Sequence, residues 1–253
     1  MVNNKKISII LFIIFVFVSG IYLFNNSKKE KVATSGLVGT EENKKEDTKR
    51  SLCYLYSKKT DRNFFDEAWL KMEINGEKVV GEFRNLPAEK DSKVGTFEGT
   101  VGKLEQEKMA RTADVWWNSL AEGMNEKEEL LINFGDGSAK VFFGEMVDRG
   151  DGVYVYKDKN SLKYGPELSQ ISCEDLQEKL SVEKYVRDNI KSIATNKPVL
   201  GGSWNVISVT AIPSINTGSV IYEDGHIEST ADFGYEFNPE NNSVLIKNFT
   251  VKK

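Results

Sequence analysis

The sequence predicts a mainly β fold with α+β character: a small antiparallel β-barrel with one inserted helix, then a small helix-plus-sheet unit, behind an N-terminal transmembrane helix. Three observations predict it. An uncharged apolar run opens the chain, alternating segments separated by glycine-bearing turns fill its middle, and one amphipathic stretch of helical period precedes a last set of alternating segments. With 253 residues, 40% hydrophobic and 28% charged, the chain has enough apolar material for one ordinary domain or two small ones.

Lys5 and Lys6 precede a run from Ile7 to Phe24 that contains no charged residue. At a helical rise of 1.5 Å these positions cover about 27 Å, just enough to cross a hydrocarbon core of roughly 30 Å. Residues 1–24 therefore read as a membrane anchor or a signal peptide, and both fates place Val32 onward outside the cytoplasm if Lys5 and Lys6 stay inside. Cleavage would use Val18 and Gly20 as the small residues before the cut, but the run continues past them through Ile21, Tyr22, Leu23 and Phe24, which favours an uncleaved, single-pass anchor. If the signal is cleaved, the product is secreted. Lys28, Lys29 and Lys31 weaken the charge asymmetry, and no cysteine near the end of the run could accept a lipid. Residues 25–50 are poor in apolar side chains and mixed in charge, a flexible linker.

Residues 51–175 carry the barrel-like ectodomain. AWLKMEINGEKVVGEF alternates on both sides of Asn75 and Gly76, a pair suited to a tight hairpin turn. KVGTFEGTVG follows, its Gly95, Gly99 and Gly102 fitting bulges or tight curvature. From Leu104 to Glu122 a helix is expected, because Met109, Ala113, Trp116 or Trp117 and Leu120 recur every three or four residues and Gly123 can end it. One of the two tryptophans would pack inward and the other lie at the boundary, open to a ligand or partner. Strands resume at ELLINFGDGSAKVFFGEM, turning at Asp136 and Gly137, and again at GVYVYK. At least six short strands suggest a closed or nearly closed meander, a small barrel of the calycin kind, with a two-sheet sandwich as the alternative. Such a barrel could hold a pocket or be filled by its own side chains.

Residues 176–253 form the α+β C-terminal unit. SVEKYVRDNIKSIA signals a helix capped by Ser181, with Val182, Tyr185, Val186, Ile190 and Ile193 or Ala194 as its apolar stripe. Strands are expected in SWNVISVTAI, GSVIYEDGHIESTADFGYEF and SVLIKNFTV, with turns at Asp224 and Gly225 and around Asn241 and Asn242.

The candidate chemistry is sparse. Cys53 and Cys173 lack the spacing of a redox or zinc pair, and in an exported chain a single disulfide between them is the economical reading. His226 is the one histidine, beside Glu223, Asp224 and Glu228. Strand alternation would put His226 and Glu228 on one side, adequate for a hydrogen bond or a weak metal contact, but an exposed hairpin histidine explains it as well. Asp136, Asp148, Asp151 and Asp158 crowd near turns without the twelve-residue calcium loop, so turn formation and solubility account for them. Arg149, Gly150 and Asp151 spell RGD, a weak adhesion signal. No serine sits in a GxSxG elbow, and GTFEGTVG lacks the lysine of a phosphate loop. A net charge of -4 without a basic, aromatic-laced patch argues against nucleic acid, and no cofactor is indicated.

CYLYSKKTDRNFFDEAWLKMEINGEKVVGEF, LPAEKDSKVGTFEGTVG and MARTADVWWNSLAEGMNEKEELLINFGDGSAKVFFGEM resemble a group of uncharacterised bacterial envelope proteins that begin with an export or lipid-attachment signal. The resemblance spans roughly Cys53 to Cys173 and implies a bacterial cell-envelope location, with the body outside the membrane, rather than an activity. Unlike the lipid-attached members, this chain has no cysteine to modify, which favours direct anchoring. Three functions are expected to compete. They are a non-enzymatic envelope protein whose ectodomain binds an envelope protein or small ligand, a hydrolase joining His226 to acidic or hydroxyl side chains, and an accessory or inhibitory protein.

Overall fold

The computed structural model describes residues 49–199 and 201–252. The apolar run, and with it the expected anchor and nearly all of the linker, lies outside them. Fifteen strands and one α-helix follow in the order β1 (Arg50–Lys59), β2 (Phe65–Asn75), β3 (Lys78–Leu86), β4 (Lys93–Val101), β5 (Ala110–Ala121), β6 (Met124–Gly135), β7 (Ser138–Phe143), β8 (Met146–Asp148), β9 (Val153–Tyr156), β10 (Lys163–Tyr164), β11 (Leu168–Ile171), α1 (Cys173–Ile193), β12 (Asn205–Ile212), β13 (Thr217–Glu223), β14 (Glu228–Asn238) and β15 (Ser243–Val251).

Strands β1 to β7 form an antiparallel meander, and β11 closes it by pairing with β7 on one side and β1 on the other. The result is a closed eight-stranded barrel. An eight-stranded barrel has an interior just wide enough for side chains to fill. Leu70, Met72 and Ile132 are fully buried there with Tyr54, Phe83, Phe97, Trp117, Leu130 and Val141. Two turns show why the strands reverse where they do. Asp136 and Gly137 take φ of 46° and 78° between β6 and β7, and Gly76 takes 62° between β2 and β3, values that suit short twisted hairpins.

The expected helix from Leu104 to Glu122 is not formed; its second half is β5, a central strand of the barrel. Period two wins over period three or four here, because Ala113, Val115, Trp117 and Ser119 are buried whereas Asp114, Asn118 and Leu120 are exposed. Met109, assigned to the helix's apolar face, is 59% exposed at a φ of 48°. Gly123 does not end a helix. With Glu122 it makes the β5–β6 hairpin turn, at φ of 79° and 49°.

Glycines let β4 pack closely on its neighbours. A Cβ on Gly99 would stand 2.1 Å from the Asp114 carbonyl oxygen, and one on Gly81 of β3 would stand 2.4 Å from the Phe97 ring. Only a residue without a side chain admits those approaches.

The helix α1 begins earlier than Ser181. Its cap is Ser172, whose hydroxyl accepts from the Asp175 N–H at 2.9 Å, so the helix gains two further turns carrying Leu176 and Lys179. Cys53 of β1 and Cys173 at the helix start lie at disulfide distance, with Cα atoms 5.2 Å apart. Leu176 packs there against Cys53 and Trp69, on the outside of the barrel. Further along, Val182, Val186 and Ile190 join Trp204, Val220, Tyr222, Phe233 and Tyr235 in a second core, under the antiparallel sheet β12-β13-β14-β15.

Because the cysteines close a loop of 120 residues, reducing the pair or replacing both by alanine is expected to lower the unfolding free energy. The drop expected in urea titrations is about 2–5 kcal/mol. An unchanged midpoint would show that the pair does not constrain the fold.

Candidate functional site

In an up-and-down barrel all connections lie at two ends. The β2–β3, β4–β5 and β6–β7 turns mark one end. The other end carries the β1–β2, β3–β4 and β5–β6 connections and the long excursion from β7 to β11. The interior is apolar through most of its length and becomes polar toward this second end, where the inward positions of the strands hold Tyr56, Asn85, Lys93, Ser119, Glu126 and Glu128. Ladder register brings them together: Asn85 stands opposite Lys93, and Ser119 opposite Glu126.

Lys93 is the hub of the inner set. Its Nζ lies 2.7 Å from Glu128 Oε1 and 3.0 Å from Glu126 Oε2, and 5.5 Å from the centre of the Trp117 ring. The Ser119 hydroxyl donates to Glu128 Oε1 at 2.8 Å, and both residues are buried. Burial works against the charge on Lys93, but the carboxylates of Glu128 and Glu126 outweigh it and raise its pKa. The Trp117 indole N–H is buried without a hydrogen-bond partner in the protein.

At the same end a cavity of about 680 Å³ is bordered by Tyr56, Asp61, Arg62, Asn85, Lys90 and Pro166 among others, on the β1, β2 and β3 side of the rim. Two contacts tie the β3–β4 loop to the β1–β2 loop and to the start of β2. Arg62 Nε lies 3.2 Å from Glu89 Oε1, and the Ala88 N–H donates to Asp66 Oδ1 at 2.8 Å. The exposed ion pair contributes little stability in water. Both signs of charge, a phenol and an amide thus face one opening, a surface suited to a polar ligand.

The residues singled out from sequence do not converge. Trp117 points into the barrel, whereas Trp116 lies half-buried outside, with the Arg149 guanidinium 5.7 Å from its ring centre. Arg149 also pairs with Asp151, and this pairing within one turn lowers the Asp151 pKa. His226 and Glu228 belong to the other sheet, exposed at the β13–β14 turn, with Glu228 opposite Glu223 in the ladder. Asp224 supports that turn. It accepts from the N–H groups of Ile227, His226 and Val199, and these donors hold its carboxyl below the usual range. Asp148 accepts from Gly150 and Gly152, and Asp158 from Asn160, while Asp136 occupies the left-handed turn position already described. Among the described residues no group of three or more His, Cys, Asp or Glu side chains is placed to hold a metal ion.

Sequence reading missed the rim because its members come from five strands whose register is set by pairing. One signal was available: in β6, Glu126 and Glu128 continue at period two the inward positions of Leu130, Ile132 and Phe134. Comparisons with protein-family models, with curated proteins and with solved structures found no match to this chain.

Lys93→Met should leave Glu128 without its cation in a site that water reaches poorly. The expected loss is about 1–3 kcal/mol in urea unfolding. A variant as stable as the parent would show that the carboxylates find other partners.

Proposed function

We propose that the chain is a membrane-tethered, extracytoplasmic protein of a bacterial envelope that binds without catalysing a reaction, taking a polar small molecule or a segment of an envelope protein at the open rim of its barrel. The observation that carries this reading is the cavity of about 680 Å³ at one end of a barrel whose interior is otherwise filled. A filled interior leaves no room for deep storage of an apolar ligand, so recognition falls to the rim. The up-and-down strand order supports a calycin-like architecture, in which an open end is the natural place for contact. The lysine-flanked apolar run from Ile7 to Phe24 supports tethering. No helix among the described residues is long and apolar enough to cross a membrane.

The rim reading is tested by ligand-observed NMR on the full-length chain with mixtures of amino acids, sugars and short peptides. Binders should lose their signal when Asn85→Trp fills the opening. Binders indifferent to that change would place recognition elsewhere. Tethering is tested separately, by adding protease to intact bacteria that express the chain: the body should be digested while a membrane-bound N-terminal fragment survives. A body that stays protected and fractionates with the cytosol would refute the location.

A further inference from the structure

Two carboxylates and one ammonium meet where the barrel wall, α1 and β12 come together. Lys179 Nζ donates to Glu67 Oε1 at 2.9 Å and to Thr210 Oγ1 at 2.9 Å, and it also pairs with Glu183. The hydroxyls of Thr210 and Ser57 donate to the same Glu67 oxygen at 3.0 Å and 2.8 Å, and the Ala211 N–H donates to Glu183 Oε1 at 3.0 Å. The side chains of Lys179, Glu67 and Glu183 are 2%, 8% and 13% exposed. With every group ionised, this enclosed set carries one surplus negative charge. Low polarity penalises that charge, and two carboxylates sharing one cation also repel each other.

We propose that Glu67, Lys179 and Glu183 form a proton-sensitive joint that clamps α1 and β12 to the β1–β2 wall when Glu183 is protonated and loosens when Glu183 ionises. Burial pushes the Glu183 carboxyl up to about 7, with Lys179 pulling it down and Glu67 pushing it further up. Burial also opposes the charge on Lys179, but the two carboxylates prevail and raise its pKa, so the lysine stays charged. Among the described residues no cation other than Lys179 pairs with Glu67 or Glu183, and Lys59 of β1, beside Thr210 in the groove, forms no salt bridge with either. Strand β14 brings Tyr235, whose hydroxyl donates to Glu178 at 2.9 Å and whose pKa is raised, first by burial. Lys247 of β15 and Lys252 just past its end pair with Glu236 and Asp232. The joint also stands between two concavities, since Glu67 borders the rim cavity and Thr210 borders a groove of about 420 Å³ with Lys59 and Phe65. Its proton sensitivity does not depend on what the rim binds.

The sign follows from linkage. The closed joint holds its proton to about 7, whereas an opened Glu183 releases it at the ordinary value of 4.5. Between these values the closed state binds more protons, so opening becomes about tenfold easier per pH unit and levels off above the upper value.

Amide hydrogen exchange of the full-length chain between about pH 5 and pH 8.5, corrected for intrinsic exchange, tests the joint. Protection in α1 and β12 should fall about tenfold per unit up to about pH 7 and then level, while β5 and β6 stay protected. Glu183→Gln should remove that fall and keep the acid level of protection at alkaline pH. Glu67→Gln should shorten the fall, so that it levels at a lower pH, because it removes one carboxylate that helps hold the Glu183 proton while leaving Glu183 buried. A flat parent profile, a Glu183→Gln profile with the parental slope, or equal losses in β5 and β6 would each overturn the proposal.

Discussion

Closure by β11 is the constraint on which the rest of the molecule depends. Its four residues join both edges: Leu168 and Ser169 pair with Ala139 and Ser138 of β7, and Ser169, Gln170 and Ile171 pair with Leu55, Tyr54 and Cys53 of β1. Without this strand the facing edges of β1 and β7 would leave their backbone groups open to other chains. The chain then spends its next two residues on the Ser172 helix cap and on Cys173, which returns to Cys53, the ladder partner of Ile171. Barrel closure, helix initiation and the Cys53–Cys173 approach therefore fall together in one short stretch. It fixes α1 on the β1–β2 wall, and α1 in turn supplies the apolar stripe that the C-terminal sheet covers.

A filled barrel distributes polarity along its axis. Large side chains fill the middle, so the charged inward residues gather toward one end, where they pair with one another. Lys93, Glu126, Glu128 and Ser119 form that boundary layer, at the end of the barrel that also carries the rim cavity. Outside the wall the same chain buries a different charged set, Glu67 with Lys179 and Glu183. Strand alternation explains the division. Glu67 and Trp69 point outward toward α1, while Ala68 and Leu70 point inward to the barrel core.

The features legible in the sequence were those encoded locally. The alternation around Asn75 and Gly76, the Asp136 and Gly137 turn, and the C-terminal strands all appear where their patterns place them. Strand β5 was illegible because its apolar residues satisfy two periods at once; only its ladder with β4 and β6 decides between them. Strand β11 is too short to carry a pattern of its own, so closure could be suggested only by counting other strands. Lys179 did carry a signal, since it falls on the apolar stripe between Leu176 and Val182. A lysine in such a place implies a buried partner, although Glu67, 112 positions earlier, was beyond reach of local reasoning. The polar rim was missed for the same reason: long-range register, not spacing along the chain, assembles it.

Cross-strand nuclear Overhauser contacts at β11 test the closed architecture most directly. Closure requires contacts from Leu168 and Ser169 to Ala139 and Ser138, together with contacts from Gln170 and Ile171 to Tyr54 and Cys53. Finding one set without the other would mean an open sheet or a two-sheet sandwich, and the shared rim would no longer follow from the fold.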